Sequence, residues 1–204
     1  MTFWIIAGVV GLVLVYLAWT YNRLVSLSKR ADSSWSDIDV QLKRRWDLVP
    51  ALVETVKGYA RHEATTLENV VDARARASQA GSLDQRGETE RGLSQAVGRL
   101  FALAEAYPEL KASQNFQELH RSLVEIENHV QYARRYYNAV VRDLNTLIES
   151  FPSMLVAAAA GFHQRPYFQL EEAERALPRV EFGGQTTAAL DPPAPAKPRG
   201  DQLA

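Results

Sequence analysis

The first twenty residues carry an unbroken apolar pattern. Residues 2–19 read TFWIIAGVVGLVLVYLAW, and the first charged side chain is Arg23. At about 1.5 Å per residue this stretch just crosses a hydrocarbon core about 30 Å thick, and Trp4 and Trp19 suit its two interfaces. A cleaved signal peptide would have a basic start, a shorter apolar stretch and small residues at a cleavage site. We therefore expect an uncleaved membrane anchor over residues 1–20, which contacts the lipid bilayer through residues 2–19.

Beyond the anchor, mostly apolar residues recur in alternating steps of four and three from Leu24 to Ala77. This spacing predicts a helix whose apolar edge packs against partner helices. Pro50 removes one backbone donor and crowds the preceding turn, so the helix either kinks or restarts there. Because the pattern keeps its phase on both sides of Pro50, we favour a kinked, continuous helix that grows out of the membrane and is about 100 Å long.

Two more helices follow the first. A turn at residues 80–82, with Ser82 as a candidate N-cap, precedes a shorter apolar stripe that ends at Pro108. The most regular stripe spans residues 113–150. Three long amphipathic segments joined by short turns predict an all-α, antiparallel up-down bundle over residues 21–182.

The last part of the chain has a different composition. Residues 151–160 are expected to add a final turn or short helix. Residues 183–204 are rich in Gly and Pro and poor in large apolar side chains, which predicts a disordered tail.

The charges beside the anchor predict its orientation. Arg23, Lys29 and Arg30 follow the apolar stretch closely, and no charged residue precedes it. The positive-inside rule then places the bundle in the cytoplasm. The alternative is a signal anchor that exports the C-terminal domain.

Composition and motifs exclude several classes of binding and catalytic site. The chain has no Cys, and its 23 Lys and Arg nearly balance 24 Asp and Glu, which argues against a nucleic-acid binder. It contains no Glu-x-x-His of di-iron bundles, no phosphate-binding Gly-rich loop with Lys and no Gly-x-Ser-x-Gly elbow. Glu125 and His129, four residues apart on one helix, predict a surface ion pair rather than a metal site. We therefore expect no cofactor, no small-molecule substrate and no enzymatic activity.

Two charged residues, Arg45 and Glu63, fall on the apolar stripe. A charge at such a position is costly unless it is paired, and it often specifies register or partner choice. The two residues cannot meet on one helix, so each implies a partner on another element or chain. On the long helix Glu127, Arg134 and Asp143 are the candidates, and we favour a buried structural pair over ligand binding.

The basic clusters and the aromatic residues beside them suggest interaction surfaces. Arg44 would stand about 35 Å from the bilayer on a straight helix, several Debye lengths of about 8 Å, so headgroup contact is not expected there. Tyr137 continues the apolar stripe of the long helix and should lie in the core with its hydroxyl hydrogen-bonded. Tyr136 would then point outward. With Arg134 and Arg135 beside it, Tyr136 has the composition of an interface hot spot, although a solvated face fits the pattern equally.

Two separated blocks of sequence carry a family signature. The first block comprises residues 39–45 (DVQLKRR), 47–50 (DLVP) and 52–60 (LVETVKGYA); the second comprises residues 133–138 (ARRYYN), Arg142, Asp143, Asn145 and residues 151–152 (FP). Together these blocks resemble the LemA family of bacterial membrane proteins. With its flanks the similarity covers about residues 21–182. The chain departs from the family pattern at Ala51, commonly an amide residue, and at Leu144, commonly Tyr.

The resemblance implies one membrane anchor, an antiparallel helical bundle and no established enzymatic activity. We expect the anchor to lie in the bacterial cytoplasmic (inner) membrane. One branch of the family belongs to magnetosome membrane biogenesis, and others are often encoded beside membrane proteins or peptidases. We expect a single-pass scaffold or assembly protein that forms homo-oligomers or binds other membrane proteins. The alternatives are an accessory subunit of a membrane protease or quality-control system and, with weaker support, a metal-dependent hydrolase. The candidate structural or interface residues are Arg44, Arg45, Glu63, Arg134, Arg135, Tyr136, Tyr137 and Asn138.

Overall fold

The computed structural model describes residues 1–169. Within this range the chain forms six α-helices and no strand: α1 Thr2–Lys57, α2 Ala64–Gln79, α3 Leu83–Ala104, α4 Pro108–Ala112, α5 Gln114–Glu149 and α6 Ser153–Ala159. The predicted tail over residues 183–204 lies outside the described residues, as does the end of the predicted bundle. The all-α fold with a long apolar N-terminal helix that continues into a bundle is confirmed.

Helix α1 is continuous through Pro50, as the phase of the apolar pattern predicts. The prediction that it continues to Ala77 is wrong, because the chain leaves the helix at Gly58 and α2 begins only at Ala64. The apolar pattern did not reveal this break, because the buried residues of α2 pack into the same core as those of α1. With 56 residues, α1 is about 84 Å long.

The first part of α1 extends beyond the bundle. Its large apolar side chains, from Phe3 to Leu17 and again at Trp19, are exposed. Among the described residues, α1 supplies the one helix that is long and apolar enough to cross a membrane.

The upper part of the bundle, here called the four-helix region, contains the end of α1, α2, α3 and the first half of α5. Their directions alternate up and down, and α2 is joined to α3 by a turn in which Ser82 and Gln85 form a capping box, which confirms Ser82 as the N-cap. The core of this region is built from aliphatic side chains and one Phe: Val49, Leu52, Val53, Val56, Leu67, Val70, Leu93, Val97, Leu100, Leu110, Phe116 and Leu123 are all buried.

The lower part, here called the two-helix region, contains residues 20–38 of α1 and 137–149 of α5. Neither α2 nor α3 runs beside most of this length, because the turn between them lies near Asp39, with which Arg86 pairs. Helix α6 packs at the foot of this pair, and residues 162–169, here called the strap, then run back up along it without helical structure. The strap covers the apolar edges that two helices alone would expose.

Candidate functional site

A buried ion-pair cluster joins three helices at the centre of the four-helix region. Arg45 of α1 is only 6% exposed. Its Nη1 atom lies 3.1 Å from Oε2 of Glu127 on α5 and 3.5 Å from Oε2 of Glu90 on α3, and its Nη2 atom donates a 2.8 Å hydrogen bond to Oγ of Ser94. Glu127 is one of the partners that the sequence suggests for Arg45. The arrangement fixes the register of α1, α3 and α5 relative to one another.

Glu90 is a charged member of this cluster that is not among the candidate partners predicted from the sequence. It is 1% exposed and accepts a 2.6 Å hydrogen bond from Nε1 of Trp46. Burial raises the pKa of Glu90 above its ordinary value, although the charge of Arg45 and the Trp46 bond act in the opposite direction. The spacing of the sequence does indicate that Glu90 is buried, because it lies three residues before Leu93 and so extends the apolar stripe of α3 toward the start of the helix.

The space beside the cluster is small. A cavity of about 190 Å³ is lined by Arg45, Ser94 and Glu127 among others, below the range of about 300–1,000 Å³ typical of small-molecule sites. Within residues 1–169 no three His, Asp or Glu side chains are grouped so that they could hold a metal ion. His129 and Glu125 form an exposed pair at 3.7 Å on the surface of α5. The geometry of the cluster therefore points to helix packing.

Two of the predicted residues lie elsewhere. Glu63 was placed on a helical stripe, but the structure puts it in the turn before α2, half-buried at the N-cap position. The reason is the break at Gly58, which removes residues 58–63 from any helix. Arg44 is exposed on α1 beside the buried Arg45.

The strap is held to α5 by two asparagines that bind backbone in the same way. Asn145 donates through Nδ2 to the carbonyl of Arg165 and accepts at Oδ1 from the N–H of Arg165, both at 2.9 Å. Asn138 makes the same pair of bonds to Phe168, at 3.0 and 2.9 Å. Seven helical residues advance about 10 Å and three extended residues also about 10 Å. The two asparagines are therefore spaced to hold an extended chain.

Other contacts fix the strap from both sides. The Tyr137 hydroxyl donates a 3.1 Å hydrogen bond to the carbonyl of Pro166, and burial raises the pKa of this Tyr. Phe168 is buried with its ring centroid 5.2 Å from that of Trp35. A Cβ atom on Gly87 would lie 2.6 Å from the carbonyl oxygen of Gln169, so α3 can approach the strap only because this position is Gly.

The outward side of α5 carries an exposed aromatic group, here called the α5 outer face: Val124, Tyr132, Arg135 and Tyr136. Tyr132 and Tyr136 are 66% and 55% exposed, and the guanidinium carbon of Arg135 lies 4.6 Å from the centroid of the Tyr132 ring. The sequence pattern placed Ala133 in the buried stripe of α5, but the structure buries Arg134 instead. Arg134 therefore does not lie beside Tyr136 on the outer face. Either position satisfies steps of three and four between Val130 and Tyr137, so the pattern alone could not choose.

An antiparallel helical bundle carried on one long apolar N-terminal helix defines a class of helical, membrane-associated proteins. The chain belongs to the LemA family, whose sequence model matches residues 34–182. This confirms the resemblance found in its two sequence blocks.

Several relatives of known name are similar to this chain. Magnetosome protein MamQ 2 of Paramagnetospirillum magneticum is 26% identical over 179 residues, which cover 75% of this chain and 66% of that protein. Magnetosome protein MamQ of Magnetospirillum gryphiswaldense is 24% identical with the same coverage. Protein LemA of Metamycoplasma hominis is 25% identical over 156 residues, which cover 76% of this chain and 71% of that protein. The chain thus spans just under two thirds of the length of the MamQ proteins.

Proposed function

We propose that this protein is a single-pass scaffold of the bacterial cytoplasmic membrane that assembles with further copies of itself through the α5 outer face. Residues 2–19 anchor it in the bilayer, and the bundle lies on the cytoplasmic side, where Arg23, Lys29 and Arg30 favour it. Its role is the organisation of the envelope through protein–protein contacts. Membership of the LemA family and the magnetosome names of the MamQ relatives support a membrane role of this kind.

The observation that carries the proposal is the composition of the α5 outer face. Two neighbouring Tyr side chains, one turn apart, stand in solvent with a stacked Arg, and Tyr and Arg are the residues that dominate interface energetics. The buried charges, in contrast, are already paired inside the bundle. Tethering to one bilayer raises the effective concentration of copies for one another, so a modest contact area is enough for assembly.

Cysteine cross-linking in membranes tests this proposal, because the chain has no native Cys. Tyr132→Cys and Tyr136→Cys, each expressed as the full chain, should give a homodimeric adduct with a short bifunctional thiol reagent. Val71→Cys on α2, also an exposed apolar position, is the matched control and should give little adduct.

A second variant checks that the adduct reports a specific contact. Arg135→Ala should reduce the yield at Tyr136→Cys, because it removes the stacked cation at the centre of the face. Equal yields at Tyr136→Cys and Val71→Cys would refute assembly through this face. An adduct with a peptidase subunit in place of a second copy would favour the accessory role instead.

A further inference from the structure

We propose that α6 is a second membrane contact, which lies in the boundary between headgroups and acyl chains beside the anchor. The inference rests on the proposed membrane anchoring by α1. It concerns the short helix Ser153–Ala159 and the residues that flank it, for which the ion-pair cluster, the strap and the α5 outer face give no role.

The first argument is the absence of charge. Residues 151–162 read FPSMLVAAAAGF, twelve positions without a charged side chain, although the sequence on either side is polar. Three large apolar side chains of this segment point away from the protein, and they are here called the α6 apolar face: Phe151, Met154 and Leu155. Phe151 is 79% exposed and Leu155 is 59% exposed.

The fully buried positions of α6 are both small residues. Ser153 and Ala157, one turn apart, are buried, and the Ser153 hydroxyl donates to the carbonyls of Leu147 at 2.7 Å and Ser150 at 2.9 Å. An ordinary amphipathic helix buries its largest apolar side chains, whereas α6 buries Ser153 and Ala157 and exposes Met154 and Leu155. A helix with this arrangement has its apolar side toward a non-aqueous environment.

Helix α2 shows what a water-facing helix of the same protein looks like. Its exposed positions include Glu68, Asp72 and Arg76, and its buried positions are Leu67, Val70, Ala73 and Ala77. The contrast is therefore specific to α6 and does not reflect a generally apolar surface.

The second argument is position. Helix α6 packs against the end of the apolar stretch of α1, where Leu17, Ala18 and Tyr21 form an open groove of about 500 Å³ together with Leu155 and Ala159. The ring centroids of Tyr21 and Phe162 lie 6.2 Å apart. Since Leu17 and Ala18 are among the last residues of the predicted span, α6 stands at the level of the membrane interface.

The third argument is the charge just beyond this level. Arg23, Lys29 and Arg30 are exposed on the next turns of α1, where the headgroups would lie. Basic side chains above an apolar surface are the pattern of proteins that rest on anionic leaflets. The lipid bilayer is thus the occupant that the α6 apolar face fits. The contact would make the bundle sit on the membrane at two points instead of pivoting on one helix.

Site-directed spin labelling of the full chain in lipid nanodiscs tests the inference directly. A nitroxide on Leu155→Cys should be accessible to oxygen and protected from a water-soluble nickel chelate, as should one on Met154→Cys. A label on Val10→Cys marks the interior of the span, and one on Glu68→Cys marks water. Helical content by circular dichroism must match that of the unlabelled protein, so that a failure to fold is recognised.

The outcomes separate this inference from the proposal on which it rests. If Leu155→Cys and Met154→Cys react with the nickel chelate as strongly as Glu68→Cys while Val10→Cys stays protected, α1 is an anchor and the α6 contact is refuted. If Val10→Cys is also exposed to nickel, the membrane anchoring itself fails. Protection of Leu155→Cys and Met154→Cys from nickel that is clearly greater than that of Glu68→Cys and at most equal to that of Val10→Cys supports the contact.

Discussion

The four-helix and two-helix regions of this bundle bury their apolar helix edges by different means. In the four-helix region each apolar stripe packs against two or more other helices, and the core is apolar with one buried ion-pair cluster around Arg45. In the two-helix region, within residues 1–169, no further long helix lies beside α1 and α5, and an extended strap covers their shared edge. Asn138 and Asn145 bind the backbone N–H and C=O groups of Phe168 and Arg165 in this strap.

The difference shows how polar groups set register in each case. A charge buried among three helices holds them only if every partner is present, because removing one leaves another charge uncompensated. An extended chain brings its own unpaired N–H and C=O groups, and an Asn side chain can satisfy one of each at once. We therefore expect the four-helix region to depend on buried charge. The two-helix region should depend on the neutral hydrogen bonds of the strap, since its Arg165–Asp32 ion pair is partly exposed.

The largest effect should follow from Arg45→Met. This variant keeps most of the side-chain volume but leaves Glu90 buried without its cation, so the free energy of unfolding should fall by about 3–5 kcal/mol. Urea denaturation of the full chain in detergent, followed by circular dichroism, measures this loss. Arg44→Met is the matched control, since Arg44 is the exposed neighbour and should change stability by less than about 0.5 kcal/mol.

A double variant distinguishes the loss of a pair from the loss of packing. Arg45→Met combined with Glu90→Met removes both charges, and it should recover much of the stability, because a buried pair replaced by apolar side chains is often neutral. If the double variant is as unstable as the single one, the ion pair is not what holds the four-helix region together.

A smaller and more local effect should follow from Asn145→Ala. It leaves the N–H and C=O of Arg165 without their partners, which costs about 1–3 kcal/mol where the groups are partly buried. Hydrogen exchange at the amides of Arg165 and Phe168 should speed up, while the core amides of α3 should not change. Asn128→Ala, at an exposed position of the same helix, should leave strap exchange unaltered. Faster exchange throughout the bundle would mean that the two regions are not independent.

Much of this architecture could be predicted from the sequence, and the failures have a common cause. The stripes of α3 and α5, the continuity through Pro50 and the N-cap at Ser82 follow from local periodicity and capping chemistry. The break at Gly58 and the burial of Arg134 in place of Ala133 do not. In both places the apolar spacing fits two arrangements equally well, and only tertiary packing chooses between them.

The strap was missed for a different reason. A backbone segment that is fixed by side-chain amides has no apolar period of its own, so Asn138 and Asn145 seven residues apart were the only local sign. Gly87 is a second position whose role the sequence alone does not reveal. From sequence it reads as a weak point in α3, because Gly is a poor helix former, but the structure shows that it makes room for Gln169. That requirement is non-local.

The smallest expected effect is a pH dependence confined to the four-helix region. Burial raises the pKa of Glu90 above its ordinary value of 4.5, so between that value and its folded-state pKa the folded protein holds a proton that the unfolded chain releases. The contribution of Glu90 to stability is thus fully present below pH 4.5 and is lost as pH rises through the folded-state pKa. The free energy of unfolding of the wild type minus that of Glu90→Gln should therefore decrease as pH rises through this range. Glu88→Gln, exposed on the same helix, controls for the change in net charge. If this free-energy difference grows with pH instead, attraction to Arg45 outweighs burial in setting the pKa of Glu90. If hydrogen exchange in the strap follows the same pH profile, the two regions are not separate.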